Sequence, residues 1–286
     1  MNKIKKLLYD FNELVMFKHS IFALPFIFIA MIISSNGWFG WKLLILGLIA
    51  TIAARNFAMA FNRYIDKNID NQNPRTINRP SVDGRLSLKS IFLFIFLNAF
   101  LFILIAYFIN QLAFYLSFPI LFIIGVYSYF KRFSYLAHII LGISLGLAPI
   151  SGVIAVIEDI TLWSMFLSLG VVFWVAGFDM LYSLQDRKID IKLKLHSIPV
   201  KFGIKKTLLI ARISHTLAII FWFLFTIYSS SGIFVYISII ISTIFLIYEH
   251  ILVNKSLENI PKAFFTINGY LGIVFLIFVI LDKIFI

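Results

Sequence analysis

The sequence predicts an all-α protein that crosses a membrane about nine times. Composition is the first reason: the chain of 286 residues is 61% hydrophobic and only 13% charged, with a mean hydropathy of +0.98. Soluble domains are about a quarter charged. The second reason is the length of the uncharged stretches. No Asp, Glu, Lys or Arg occurs in Ile91 to Phe130, Thr161 to Phe178, Ile213 to Tyr248 or Ala263 to Leu281, and a spanning helix needs about 20 mostly apolar residues. The third is the absence of short alternating segments of the kind that build a membrane β-barrel.

Residues 1–20 form a basic amphipathic lead-in, with Lys3, Lys5, Lys6 and Lys18 beside Leu7, Leu8, Phe11, Leu14 and Phe17. This segment is expected to lie along the membrane surface. Nine apolar segments follow, over residues 20–35, 41–61, 90–109, 112–130, 136–157, 161–181, 207–228, 233–253 and 262–283. Pro25, Pro119 and Pro149 fall inside these spans, where neighbouring helices can satisfy the freed backbone groups. No linker or low-complexity stretch divides the chain, so residues 1–286 are expected to form one domain. No small-residue cleavage site follows the first apolar run, and no cleaved leader is expected.

Topology follows from the loops. With the N-terminus inside, 23 of the 25 Lys and Arg residues fall on inside segments, leaving Lys42 and Lys283 outside. Such a bias predicts a cytoplasmic N-terminus, cytoplasmic acidic loops and, for nine spans, an external C-terminus. The expected location is the inner, cytoplasmic membrane. The net charge of +12 is thereby explained without a nucleic-acid partner, and no obligate protein partner is expected. The chain has no cysteine, which excludes disulfides, thiolate metal sites and thiol nucleophiles.

Acid is scarce, at 13 residues, and it is clustered. Asn62, Asp66 and Asp70 recur every fourth residue after the second span; Tyr182, Asp186 and Asp190 repeat that spacing after the sixth. At helical spacing the two carboxylates of a pair share one face, roughly 6 Å apart at Cβ. Carboxylates facing a common space repel unless cations sit among them. Oxygen donors without Cys or clustered His point to a hard ion, most simply Mg²⁺, which binds through one or two carboxylates plus substrate phosphate oxygens. That chemistry suggests a diphosphate substrate. The expected metal ligands are Asn62, Asp66, Asp70, Asp186 and Asp190. Arg75, Arg79, Lys131, Arg132, Arg187, Lys192 and Lys201 flank the stripes on the same side, where they can clamp diphosphate oxygens and stabilise the leaving group. Arg55 lies within the second span and can hold an anionic acceptor. His196 is placed to donate to phosphate, whereas His19, His138, His215 and His250 lack ligand spacing and read as structural. A transporter using intramembrane carboxylates is the competing class, but it needs charges near span centres, and these acids lie at span ends.

These residues resemble the signatures of the UbiA family of membrane prenyltransferases, in its 4-hydroxybenzoate polyprenyltransferase branch. The family's Asn-Asp-x-x-Asp-x-x-x-Asp, followed by Arg-Thr-x-x-Arg-Pro, is similar to Asn62 through Asp70 with Arg75-Thr76-Ile77-Asn78-Arg79-Pro80. Its Asp-x-x-Tyr-x-x-x-Asp-x-x-x-Asp is similar to Asp179, Tyr182, Asp186 and Asp190, continuing to Ser197 and Phe202-Gly203. Lys131-Arg132 after Tyr127 and Arg55 before the first motif also match. The resemblance implies a helical ring around a central cavity, open sideways to lipid, with the motifs at its cytoplasmic mouth. It implies Mg²⁺-dependent transfer of a prenyl group from a polyprenyl diphosphate to a small aromatic acid in ubiquinone or menaquinone synthesis. The developing allylic cation would be shielded by an aromatic, water-poor wall. Asp179 or Asp186 would orient or deprotonate the acceptor, and Tyr182 and Arg132 would contact the substrate. Two positions depart from the pattern. Arg63 replaces the motif's second Asp, and His196 stands where Lys is frequent. The Arg63 form resembles a subgroup associated with menaquinone made through futalosine, which implies 1,4-dihydroxy-6-naphthoate as the alternative acceptor.

Overall fold

The computed structural model describes residues 3–16, 22 and 24–286, and among these the regular structure is helical, without strands. Lys18, His19 and the first residues of the segment expected over 20–35 lie outside the described residues. Helix α1 (Lys3–Val15) falls within the basic amphipathic lead-in. It buries Leu14 and Val15 and leaves Leu7, Leu8 and Tyr9 exposed. Arg85 pins it, bonding Asp10 (3.2 Å) and Glu13 (2.6 Å).

Among the described residues, eight helices are long and apolar enough to cross a membrane. They are α3 (Trp41–Ile65), α5 (Leu88–Ile109), α6 (Gln111–Phe130), α7 (Ala137–Ile157), α8 (Leu162–Ser183), α10 (Ile198–Tyr228), α11 (Ile233–Lys255) and the run Leu257–Phe285. The expected first span is described as α2 (Leu24–Ser34), of 11 residues. It rises only about 16 Å, short of a hydrocarbon core of about 30 Å. Pro25 sits in its first turn, where the missing N–H is not needed. Short helices α4 (Lys67–Asp70), α9 (Arg187–Lys192) and α12 (Ile260–Lys262) lie at the span ends, and a π-helical turn over Ala263–Ile267 leads into α13 (Asn268–Phe285).

Local chemistry sets the boundaries. Ser87, Asn110, Thr161 and Ser197 each cap a helix by accepting a backbone N–H with the side chain, satisfying one of the donors a helix start leaves open. Asn110 is also the whole connection between α5 and α6, in an extended conformation that helix cannot continue through. Gly203 has φ +74° inside α10. It therefore breaks the helix into a short loop-side piece and the span expected from residue 207.

Around the molecule α2 packs on α7, α7 on α8, α8 on α10, α10 on α11, α11 on α13 and α13 back on α2, while α6 and α3 pack on α7 and α5 packs on α3 and α6. The core of α2, α8, α10 and α13 is aromatic: Phe26 stacks on Trp222 at 5.6 Å between centroids and meets Trp174 and Phe275. Exposed Phe92, Phe96, Phe100, Phe122, Ile240 and Ile244 make the outer surface apolar, as a lipid-facing belt requires. A cavity of about 170 Å³ opens between α2, α3, α5, α6 and α7, near the size that accepts a benzene ring. Its wall corrects one expectation. It is aliphatic, built from residues such as Ile27, Met31, Leu116, Ile120 and Leu145, with Phe102 and Tyr127 the rings among the lining residues. The large rings pack against one another on the α8 side instead, where pairing of rings stabilises them.

Helices α7 and α8 approach so closely that a Cβ on Gly142 would stand 2.3 Å from the Val172 carbonyl oxygen. Gly142→Ala is expected to lower the thermal midpoint in detergent, costing about 1–3 kcal/mol as overpacking does. Gly125→Ala, whose Cβ would meet Phe57 at an ordinary 3.6 Å, serves as control. Equal midpoints for the two variants would refute the tight crossing.

Candidate active site

Helix α3 ends at Ile65, yet the acidic stripe survives the break. Asp66 leaves helical geometry (φ −89°, ψ 5°), while its N–H still bonds the Asn62 carbonyl and the Asp70 N–H bonds the Asp66 carbonyl, both at 2.8 Å. Asn62 donates its amide to Asp66 Oδ2 at 3.0 Å. Asp66 is 1% exposed and carries two cations. Lys131 Nζ bonds Oδ2, and Arg132 bonds Oδ1 at 2.9 Å while also reaching the Ile65 and Ser128 carbonyls. Asp70 takes Arg79 at 2.6 Å.

The second stripe forms in the same way. Asp186 lies between α8 and α9, with the Asp190 N–H on its carbonyl at 2.9 Å. The loop after the first stripe then crosses to it. Asn73 donates to Asp186 Oδ1 at 2.8 Å, and Arg75 Nε donates to the same oxygen at 3.0 Å while its Nη2 takes Oδ2. Arg75 Nη1 also donates to the Tyr182 hydroxyl at 2.7 Å. The loops after α3, α6 and α8 therefore share one end of the molecule, as the expected topology requires. Asp190 has only a 3.4 Å bond from Ser197. Burial, with the Asp186 charge behind it, pushes its carboxyl up to about 6.

Asp179 stands two turns earlier on α8 and accepts from His138 Nδ1 at 2.7 Å. The Ile198 N–H points at His138 Nε2 at 3.4 Å, which assigns the ring proton to Nδ1. Sequence reasoning took His138 as structural, and no spacing connects it to Asp179. Asn73 was missed for the same reason, although its place between the motifs, folded into an Asx turn with the Arg75 N–H at 3.0 Å, was a local hint. Arg55 and Tyr127 line the cavity; Arg55 Nη2 donates to the Met16 carbonyl at 3.4 Å, and its Nε is buried without a partner. Lys192 and His196 are exposed, and their side chains make no hydrogen bond or ion pair among the described residues. The His196 backbone N–H instead bonds the Lys131 carbonyl at 2.7 Å. Arg187 donates to the Pro199 carbonyl at 2.9 Å, and Lys201 lies 3.4 Å over the Tyr135 ring, both away from the carboxylates. His215 and His250 bond one another at 3.0 Å in the α10–α11 core.

The mouth holds more cation than acid. Burial first, and the neighbouring Arg63 second, pull Arg79 down to about 10, so positive charges crowd one another there. An anion entering this space is stabilised; another cation needs anionic company. Among the described residues no three His, Asp or Glu side chains stand together as a ready-made metal site. The donor set nonetheless fits a hard ion that takes one or two carboxylates per stripe and completes its shell from a ligand. The underneutralised Asp186–Asp190 pair fits best. Asn62 fits least, because Arg63 already bonds its carbonyl oxygen at 3.0 Å.

The UbiA prenyltransferase family model matches residues 23–277. The chain belongs to this family. Among curated relatives, the 4-hydroxybenzoate octaprenyltransferase of Haemophilus ducreyi is 30% identical over 247 residues, covering 85% of this chain and 87% of the relative. The apo structure of a UbiA homologue from Aeropyrum pernix K1 has a TM-score of 0.85 at 28% identity, over 93% of this chain and 98% of that one. A UbiA homologue from Archaeoglobus fulgidus, solved with DMAPP and Mg²⁺, shares the fold at a TM-score of 0.78 and 18% identity, over 97% and 100% of the two chains. This UbiA-family chain is thus a multi-pass membrane protein with its two acidic motifs brought face to face.

The Arg75–Asp186 bridge makes a quantitative expectation. A double-mutant cycle of Arg75→Ala and Asp186→Asn, read by thermal unfolding, should return an interaction of about 0.5–3 kcal/mol. Strict additivity would show that the bridge does not hold the loop.

Proposed function

We propose that this protein transfers a polyprenyl group from polyprenyl diphosphate to a small aromatic carboxylate, 4-hydroxybenzoate in the first instance. The observation that carries the reading is the pairing of two acidic stripes with Lys131, Arg132, Arg75 and Arg79, at the helix ends that follow Arg55 and Tyr127 of the apolar cavity. The names of the curated relatives support the acceptor class, and the ligands of the Archaeoglobus homologue support a prenyl diphosphate with Mg²⁺.

In this reading Asp66, Asp70, Asp186 and Asp190 would hold Mg²⁺, with Asn62 beside them, and the ion would neutralise the departing diphosphate. Lys131, Arg132, Arg75 and Arg79 exchange a carboxylate for phosphate oxygens, and Arg132 stabilises charge on the leaving group. Tyr182 orients Arg75. Lys192 and His196 lie in the adjoining loop, within the same basic rim. The prenyl chain lies in the aliphatic cavity, and Arg55, with an open donor on the cavity wall, holds the acceptor carboxylate. The ring attacks the allylic carbon ortho to its hydroxyl; the carbon–oxygen bond to diphosphate breaks, and the ring proton passes to a base. Asp179 is the better base than Asp186, because His138 occupies one of its oxygens while Arg75 and Asn73 bind both of Asp186's. Residues 1–286 act as one domain in the cytoplasmic membrane, with the N-terminus and the site inside and, with short α2 as a ninth crossing, the C-terminus outside, where Lys283 bonds Asn36 beyond the end of α2. Arg63 in the first motif favours a second reading with the same chemistry, in which 1,4-dihydroxy-6-naphthoate is the acceptor.

Asp66→Ala and Asp186→Ala should each lower prenyl transfer by at least about a hundredfold in membranes that still contain the protein, and EDTA should do the same to the wild type. Full activity in these cases would remove the diphosphate reading. Membranes offered each acceptor in turn with one polyprenyl diphosphate should form product from one of them. Arg55→Leu should raise KM for that acceptor about tenfold while leaving KM for the diphosphate nearly unchanged; the reverse pattern would reassign Arg55.

A further inference from the structure

Arg63 is a buried cation that no acidic side chain among the described residues neutralises. It is 8% exposed, so it does not reach water by extending its side chain. Its guanidinium donates to Asn62 Oδ1 at 3.0 Å and contacts Met16 Sδ at 3.7 Å. Neither is a counter-charge, and a thioether is a weak acceptor. Among the described residues no carboxylate lies within ion-pair distance of it. The other guanidinium of α3, on half-buried Arg55, ends on the same residue, since it donates to the Met16 carbonyl and leaves a buried Nε unpartnered. The nearby acids are spoken for: Asp66 by Lys131 and Arg132, Asp70 by Arg79. Burying an unpaired charge is costly, and two such charges converging on Met16 compound the cost. The arrangement is intelligible when a ligand brings the missing anion.

We propose that Arg63 is a resident cation of the diphosphate site, binding a phosphate oxygen beside Asn62 so that part of the affinity for pyrophosphate needs no metal. The proposal rests on the prenyl-diphosphate reading above. The choice of diphosphate over the acceptor carboxylate follows from position. Arg55 lines the cavity and Arg63 does not; Arg63 bonds Asn62, whose amide bonds Asp66 of the first acidic stripe. In chemical terms a guanidinium stands where a further carboxylate would have called for another metal ion.

The test uses the full chain in detergent with EDTA, inorganic pyrophosphate as probe, and Arg63→Met and Arg63→Lys as variants. Without ligand, Arg63→Met should melt no lower than the wild type, because an unneutralised charge has been removed. In EDTA, pyrophosphate should bind the wild type and raise its thermal midpoint, bind Arg63→Met at least about tenfold more weakly, and bind Arg63→Lys in between. Affinity for 4-hydroxybenzoate and for 1,4-dihydroxy-6-naphthoate should stay the same in all three. Unchanged pyrophosphate affinity in both variants would overturn the proposal, as would a loss confined to the aromatic acids. If Arg63→Met melts lower, Arg63→Lys decides: wild-type pyrophosphate affinity there supports a resident cation only if charge removal in Arg63→Gln weakens it. Failure of prenyl transfer with every acceptor, alongside Arg63-dependent pyrophosphate binding, would sink the enzymatic reading and leave the anion site standing.

Discussion

Everything at the mouth of this protein depends on supplying buried carboxylates with cations. Asp66, at 1% exposure, is held between Lys131 and Arg132, and breaking a buried pair by removing one partner costs about 3–5 kcal/mol. Those two residues follow α6, so the requirement clamps the end of α6 to the end of α3. Arg79 closes the following loop on Asp70, Arg75 carries it across to Asp186, and Arg85 fastens its far end to α1. Segments with little apolar surface of their own are thereby ordered into one network.

The same bonds suit the proposed chemistry. A guanidinium held by a carboxylate is already desolvated and oriented before any ligand arrives. Its partner can then change from carboxylate to phosphate with little side-chain ordering left to do, which lowers the entropic cost of binding. The stripes and the basic rim form one exchangeable set of charges, in which Arg63 is buried without an acidic partner among the described residues.

Much of this was legible in the sequence because it is written in periodicity and scarcity. Long uncharged runs mark the spans, and carboxylates repeating every fourth residue stand out in a chain so poor in acid. Gly203 explains why the seventh apolar run starts well after Ser197. What escaped depends on long-range contact. Asn73 and Asp186 are 113 positions apart, and no local pattern pairs them. His138 looks like any buried histidine until α7 is laid beside α8. Lys192 and His196 have suitable charge and position along the chain, yet the turn after α9 leaves both exposed. The aromatic count suggested an aromatic cavity, but counts do not say which rings find each other, and Phe26, Trp174, Trp222 and Phe275 chose one another.

That partition of rings leaves the cavity wall mostly aliphatic, with Thr51, Arg55, Tyr127, Ser144 and Ser151 its polar residues. Away from those five, a water molecule gives up hydrogen bonds and gains none, and such apolar stretches stay dry. A reactive carbon formed inside would meet few competing nucleophiles, whatever the rings contribute. Fidelity between alkylating an aromatic ring and simple hydrolysis would then come from dewetting by Ile, Leu and Ala side chains. The blandest residues in the chain set the outcome of the reaction.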